Sequence, residues 1–351
     1  MFALFMEKKY FSKYKTPPIS PPNLVEIQTE SYGRFLKEGF KGLFDEISPI
    51  KDYNETEFNL DFFDYGIDEP KCDEYFAKSH NLSYEAPLRA KVRLTNKRTK
   101  EIKEQEIFLA DLPLMTDHGT FIINGVERVF VSQLSRSFGV FFTANILRGE
   151  KYFGAKIIPS RGAWLEMETE LDGTIYVRID RKRKLPVSVL LKVFGFSKNS
   201  EIEEVFKRAD VGEKRYVKNT LEKDSTANPE EAYLEVYKCL RPGEPATPDT
   251  AKEFIDAMFG LERYDLSPVG RYKFNRRLDL PIDNIKEAPK TLSREDLAAV
   301  ISNIIDLNNN SLAQPDDIDH LGNRRIRTVG ELLEQRLRVG LVRLRRIAQD
   351  R

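Results

Sequence analysis

Apolar positions along this chain recur with two periods, and the changes of period mark out its elements. From Asn23, a candidate cap, the spacing is helical, with Leu24, Ile27, Tyr32, Phe35 and Leu36 on one side. Residues 37–80 are acidic and aromatic, with short strand-like pieces such as Phe58 to Phe62. Alternation then takes over: Leu88 to Asn96 alternates apolar and basic residues, and a second run follows the turn-like Asn96 to Lys100. Phe121 to Ile123 leads into Asn124-Gly125, a pair suited to positive φ in a tight hairpin, and Val126 to Leu134 reads as one further strand.

After Gly139 come a strand over 149–160 and a hairpin turning at Asp172-Gly173. A short helix then carries Val187, Leu190, Leu191 and Phe194 and stops at Gly195. Residues 199–262 alternate polar helical stretches with breakers. There Thr250 or Asp249 caps a helix carrying Phe254, Ile255, Met258 and Phe259. Residues 281–290 read as a loop, Ser293 opens a helix, and a last helix over Val329 to Ala348 places Leu333, Leu337, Leu341 and Leu344 on one face. Four prolines in residues 17–22 exclude helix and extend an arm over residues 1–23.

A length of 351 residues suggests about two domains. No stretch approaches the apolar length of a spanning helix, and the first residues lack the charge order of a secretory signal. Two cysteines, Cys72 and Cys239, cannot frame a disulfide scaffold or a four-ligand zinc site. The chain reads as a soluble protein of a reducing compartment. Its 56 Lys and Arg balance 56 Asp and Glu, but the balance is segregated. Residues 38–76 hold twelve acids and three lysines, 128–198 thirteen bases and six acids, and 317–351 nine arginines and five acids. A basic face of this kind could meet nucleic acid, an acidic protein, or only solvent.

Autonomous chemistry is not legible. The chain has no phosphate-binding loop, dinucleotide fingerprint, Cys-x-x-Cys, His-Glu-x-x-His or nucleophile elbow. Asp316, Asp317 and Asp319 beside His320 could hold Mg²⁺, or could be an acidic turn that caps a helix and pairs with the arginines downstream.

Four stretches carry a resemblance. Residues 112–142 (LPLMTDHGTFIINGVERVFVSQLSRSFGVFF), 157–186 (IIPSRGAWLEMETELDGTIYVRIDRKRKLP), 241–274 (from RPGEPAT to YDLSPVGRYKF) and 316–345 (DDIDHLGNRRIRTVGELLEQRLRVGLVRLR) occur in one order. In that order they resemble the N-terminal third of the bacterial-type RNA polymerase beta subunit. The resemblance implies an α+β fold of two mixed domains, a lobe inserted into a protrusion domain that is C-terminally incomplete. The boundaries it implies are an arm over 1–23, protrusion over 24–134, lobe over 135–320 and a return to the protrusion over 321–351.

The function implied is that of part of a DNA-directed RNA polymerase, a nucleotidyltransferase. This piece would form one wall of the DNA cleft and touch the non-template strand near the downstream edge of the bubble. It would carry no catalytic residue and be inactive alone, the catalytic Mg²⁺ being held by the other large subunit. Implied partners are DNA, the beta-prime, alpha and omega subunits, sigma factor, and transcription factors on the protrusion, in the cytoplasm at the nucleoid. The alternative is a fragment acting mainly as a docking surface for transcription factors, with the acidic segment as its face.

By motif, the resemblance assigns DNA contacts to Arg136, Trp164, Ile318, Asp319 and Arg324. Their chemistry fits: a carboxylate accepts from the N–H groups of an unpaired guanine, an indole stacks a base, and guanidinium groups meet phosphates. Val131 and Gln133 would line the smaller part of a rifamycin pocket. The family commonly has His at the position of Ser135 and Pro at that of Phe138, and phenylalanine there frees φ and adds bulk. The basic run Arg181, Lys182, Arg183 and Lys184 either faces downstream DNA or is a solvated surface.

Overall fold

A computed structural model describes residues 22–52, 57–282, 284, 285 and 287–350. Apart from Pro22 and Asn23, the proline-rich arm lies outside the described residues. The chain forms two compact units: one takes it up to Leu134 and again from Ile326, the other spans Ser135–Arg325. Both mix helices with antiparallel strands held in separate sheets, so the fold is α+β.

The first unit opens with α1 (Glu26–Arg34), a wider π turn over Phe35–Gly39, and α2 (Phe40–Ile47). Together they bury Tyr32, Phe35, Phe40, Leu43, Phe44 and Ile47. Leu24 and Ile27 share the predicted face yet stand 89% and 45% exposed. Periodicity fixes which face is apolar, not where the surface it packs on ends. Asn23 is not the cap either: its Oδ1 accepts from the Val25 N–H, 3.1 Å away, within the turn that precedes the helix.

Strands β1 (Ile50–Lys51) and β2 (Phe58–Ile67) follow, then α3 (Glu74–Ser79), whose cap Asp73 accepts from the Phe76 N–H at 2.6 Å. With β3 (Glu85–Asn96) and β4 (Ile102–Pro113) they form a sheet ordered β1-β2-β3-β4. Phe62, Leu88, Ala90 and Val92 face the helices, including the last one, Val329–Gln349, which adds Val329 and Leu341 to the core. That helix enters at Gly330, whose N–H donates to Ser31 Oγ at 2.9 Å. Any side chain there would overlap the Ser31 carbonyl oxygen.

Next comes the hairpin of β5 (Phe121–Ile123) and β6 (Val126–Arg128), turning at Asn124 and Gly125 with φ of 52° and 78°. The single strand expected over Val126 to Leu134 stops at Arg128 and resumes as β7 (Gln133–Arg136). Phe130 instead places its ring edge-on to Phe121 at 5.1 Å, and its carbonyl accepts from Gln28 Nε2 at 2.8 Å. A side-chain amide there takes the place of a ladder partner.

The second unit is built on a meander of β8 (Gly139–Leu147), β9 (Glu150–Ile158), β10 (Leu165–Thr169), β11 (Ile175–Ile179) and β12 (Leu185–Pro186), ordered β12-β11-β10-β9-β8. The sequence pattern did not single out β8. The helices that complete this unit are α4 (Val187–Val193), α5 (Asn199–Phe206), α6 (Tyr216–Glu222), α7 (Pro229–Leu240), α8 (Pro248–Phe259), α9 (Ser267–Arg277) and α10 (Arg294–Asn309). Their apolar faces and the strands enclose one continuous core.

Thr247, not Thr250 or Asp249, caps α8, because Pro248 at the first helical position fixes the start two residues before an Asp249 cap would allow and Thr250 closes a capping box. Two ion pairs lie inside this unit. Lys192 and Asp224 meet at 2.8 Å with both side chains at 0% exposure, and Arg271 Nη1 meets both oxygens of Asp296 at 2.8 Å. The chain returns through β13 (Arg324–Arg327), which pairs with β7. The return falls at Ile326 rather than just after His320. Residues up to Asn323 are tied to the inserted unit, since the Asn323 carbonyl accepts from the Ser137 N–H at 2.9 Å and the Gly322 carbonyl from Lys273 Nζ at 2.6 Å.

Candidate nucleic-acid interface

The return segment Asp316–Arg325 gives three neighbouring acids three different environments. Asp316 is absorbed into the scaffold: Arg277 Nε donates to both its oxygens at 3.0 and 3.1 Å, and the Phe142 N–H donates to Oδ2 at 2.8 Å. Its own N–H donates to the Phe142 carbonyl at 2.9 Å, so this residue extends the edge of β8. Asp317 Oδ1 accepts from the N–H groups of Asp319 and His320 at 3.0 and 3.2 Å, and its carbonyl accepts from Asn323 Nδ2 at 2.7 Å. Asp319 itself is exposed, and its carboxylate has no hydrogen bond or ion pair among the described residues. Ile318 beside it is half-buried.

The segment is therefore an acidic turn, and among the described residues Asp316 pairs with an arginine upstream rather than with Arg324. Arg277 reaches Asp316 first, from α9, and Arg325 lies over the Phe138 ring at 4.2 Å. Phenylalanine at position 138 thus has a partner that proline would not offer. Asp316 is engaged by Arg277 and the Phe142 N–H, and Asp317 Oδ1 by two backbone N–H groups. No group of three potential ligands exists among the described residues.

Trp164 sits at the mouth of a second turn. Its backbone N–H donates to Asp180 Oδ1 at 2.8 Å and its carbonyl accepts from the Asp180 N–H at 2.9 Å. Asp180 and Arg181 have φ of 47° and 59°, and the Lys182 N–H closes onto the Ile179 carbonyl at 3.0 Å, the geometry of a type I′ turn. That turn swings the Arg181 guanidinium over the half-buried indole at 5.6 Å, with the carboxylate of Glu166 3.9 Å from its Nε. Sequence reasoning grouped Arg181 with its basic neighbours; the structure makes it the neighbour of Trp164. An Asp opening a five-residue polar stretch between two apolar strands was the available signal.

The remaining members of the run divide. Lys184 pairs with Glu170 and lies 4.5 Å over the Tyr176 ring, whereas Lys182 and Arg183 are exposed and make no ion pair among the described residues. Arg136 on β7 and Arg324 on β13 likewise have no carboxylate partner among the described residues. The Ser137–Asn323 hydrogen bond holds their segments side by side. Val131 and Gln133 belong to the first unit and are exposed.

The acidic stretch 38–76 is not an uninterrupted acidic face. Pairing of β2 with β3 sets Asp64 opposite Lys91 and Asp61 opposite Arg93. Ion pairs of 2.8 Å for Asp64–Lys91, 2.7 Å for Asp68–Arg89 and 2.9 Å for Glu46–Arg338 cancel much of its charge. The register of basic β3 against acidic β2 sets the first two pairs, and packing of the last helix against α2 sets the third.

The inserted unit is an α+β scaffold, an antiparallel meander packed with helices. The family RNA polymerase Rpb2, domain 2, matches residues 136–327, more than half of the chain. The chain belongs to this family and is part of a beta-type, second-largest subunit of RNA polymerase, a protein that associates with other polymerase subunits. No helix among the described residues is long and apolar enough to cross a membrane.

Proposed function

We propose that this chain builds one wall of the DNA cleft of a DNA-directed RNA polymerase and holds the non-template strand near the downstream edge of the melted bubble. On this reading the unit from Ser135 to Arg325 is the lobe, and the unit it interrupts is the protrusion. The observation that carries the proposal is the free, exposed carboxylate of Asp319, held in a turn in which Arg277 and backbone N–H groups engage Asp316 and Asp317 Oδ1. An unpaired guanine offers its N1–H and exocyclic N–H in one plane, and a carboxylate accepts both. Trp164 gives a stacking face, Ile318 an apolar contact beside the base, and Arg136 and Arg324 meet the phosphates. The exposed Val131 and Gln133 are then available to line the smaller part of a rifamycin pocket.

The beta-prime, alpha and omega subunits and sigma factor complete the machine on this proposal. The catalytic Mg²⁺ lies on the other large subunit, so the chain alone polymerises nothing. In reconstituted polymerase, wild type should favour guanine at one non-template position and Asp319→Ala should lose that preference. An unaltered preference across all four bases refutes the assignment. A second reading, docking of a transcription factor on the first unit, draws on Tyr75, 83% exposed on α3. Steep loss of binding to bubble DNA with added salt favours the first reading, because neutralised phosphates release counterions.

A further inference from the structure

Within the inserted unit a cleft of about 300 Å³ opens over Val140 and Phe141 of β8. Its walls are Lys273, Arg276 and Arg277 of α9 and Asp316, Gly322 and Asn323 of the return segment. Two glycines bring α9 this close: a Cβ on Gly270 would lie 2.9 Å from Phe138 Cβ, and one on Gly139, at φ 129°, would lie 3.2 Å from Lys273 Cβ. Three cations thus face one carboxylate, and that carboxylate is already taken by Arg277 and the Phe142 N–H. Arg276 is exposed with no ion pair among the described residues. Among the described residues Lys273 Nζ bonds only a carbonyl, that of Gly322 at 2.6 Å, and partial burial lowers its pKa from the ordinary lysine value. Arg324 directly follows Asn323 of the cleft wall, and the Ser137–Asn323 bond brings the segment that carries Arg136 alongside it.

We propose that Lys273 and Arg276 bind a backbone phosphate of a single nucleic-acid strand in this cleft. The proposal rests on the strand-holding function above and extends it to residues not yet assigned. The excess of positive charge selects an anion, and the volume, at the low end for small-molecule sites, suits a phosphodiester with its sugar. A phosphate in the cleft would be neutralised by two donors and would fix the backbone next to the base that Asp319 reads.

The test uses the full 351-residue chain and a fluorescent mixed-sequence single-stranded DNA oligonucleotide, titrated across a salt series. Each lost phosphate contact should make the slope of log K against log salt shallower by about 0.7. Lys273→Met with Arg276→Ala should therefore shift it by roughly 1.4, with unchanged thermal melting, whereas Lys207→Met, an exposed lysine outside the cleft, should not. An unchanged slope in the double variant overturns the proposal, as does an equal shift from Lys207→Met, which would mean diffuse charge. Tripolyphosphate that binds as tightly as the oligonucleotide and competes with it fully also overturns it, in favour of a free polyphosphate. Asp319→Ala, run in parallel in the polymerase, should keep the slope and lose guanine preference. Loss of neither base preference nor slope there would fail the strand-reading function and leave the phosphate result standing.

Discussion

The β2–β4 sheet of the first unit and the return segment of the second are both rich in charge, and they spend it in opposite ways. On the sheet, strand register sets acids opposite bases, and Lys91–Asp64, Arg89–Asp68 and Arg93–Glu104 close at 2.7 to 2.8 Å. In the return segment the scaffold consumes Asp316 and Asp317 and leaves Asp319, Arg324 and, across β7, Arg136 without partners among the described residues. Charge density along a sequence is therefore a poor guide to charge available for binding. What matters is whether the local geometry offers a partner.

That contrast has a buried extreme, where breaking a pair should have the largest effect. Lys192→Met should destabilise the inserted unit by roughly 3–5 kcal/mol in a urea melt, because it strands the fully buried Asp224. A loss below about 1 kcal/mol would show the pair to be dispensable. Burial pushes the Asp224 carboxyl up, but the hydrogen bonds from Lys192 and Thr226 outweigh it and hold the group below its ordinary value. Stability from this group is then present above the unfolded pKa of about 3.9 and is lost as pH falls from there toward the depressed folded value. Asp224→Asn should flatten that acid limb of the melting curve.

A smaller effect belongs to the proposed base platform. Trp164→Ala should weaken non-template-strand retention by roughly 5- to 150-fold, the span of one base stack, with little change in melting. A drop in melting temperature without loss of retention would make the indole a packing residue. Smallest of all should be the sheet pairs: Lys91→Met should leave the melting temperature unchanged at physiological salt, since both side chains of its pair are about half-exposed. A clear shift there would erase the distinction between the two regions.

Much of the architecture was legible because local rules carried it. Asn124-Gly125 and Asp172-Gly173 both turn hairpins, Ser293 caps α10 with Asp296 completing the box, and the leucines of the last helix reach the core. The failures share a cause. Leu24 and Ile27 keep the right period but lie where nothing among the described residues covers them, and Val126 to Leu134 has strand composition but no partner strand along its middle among the described residues. The candidate site was legible as residue types and motifs, not as relationships. Nothing in the spacing reveals that Arg277 would claim Asp316, or that Arg181 would fold back over Trp164.

The sequence by itself determined the hairpin turns, the capped start of α10, the apolar faces and the polymerase family, because each rests on neighbours in the chain or on motifs in fixed order. Only the tertiary structure decided which charges remain free. Ion pairing depends on approaches between residues far apart in sequence, such as 277 with 316, 338 with 46 and 271 with 296. Those approaches are set by packing, and packing assigns every carboxylate either to the scaffold or, as with Asp319, to solvent.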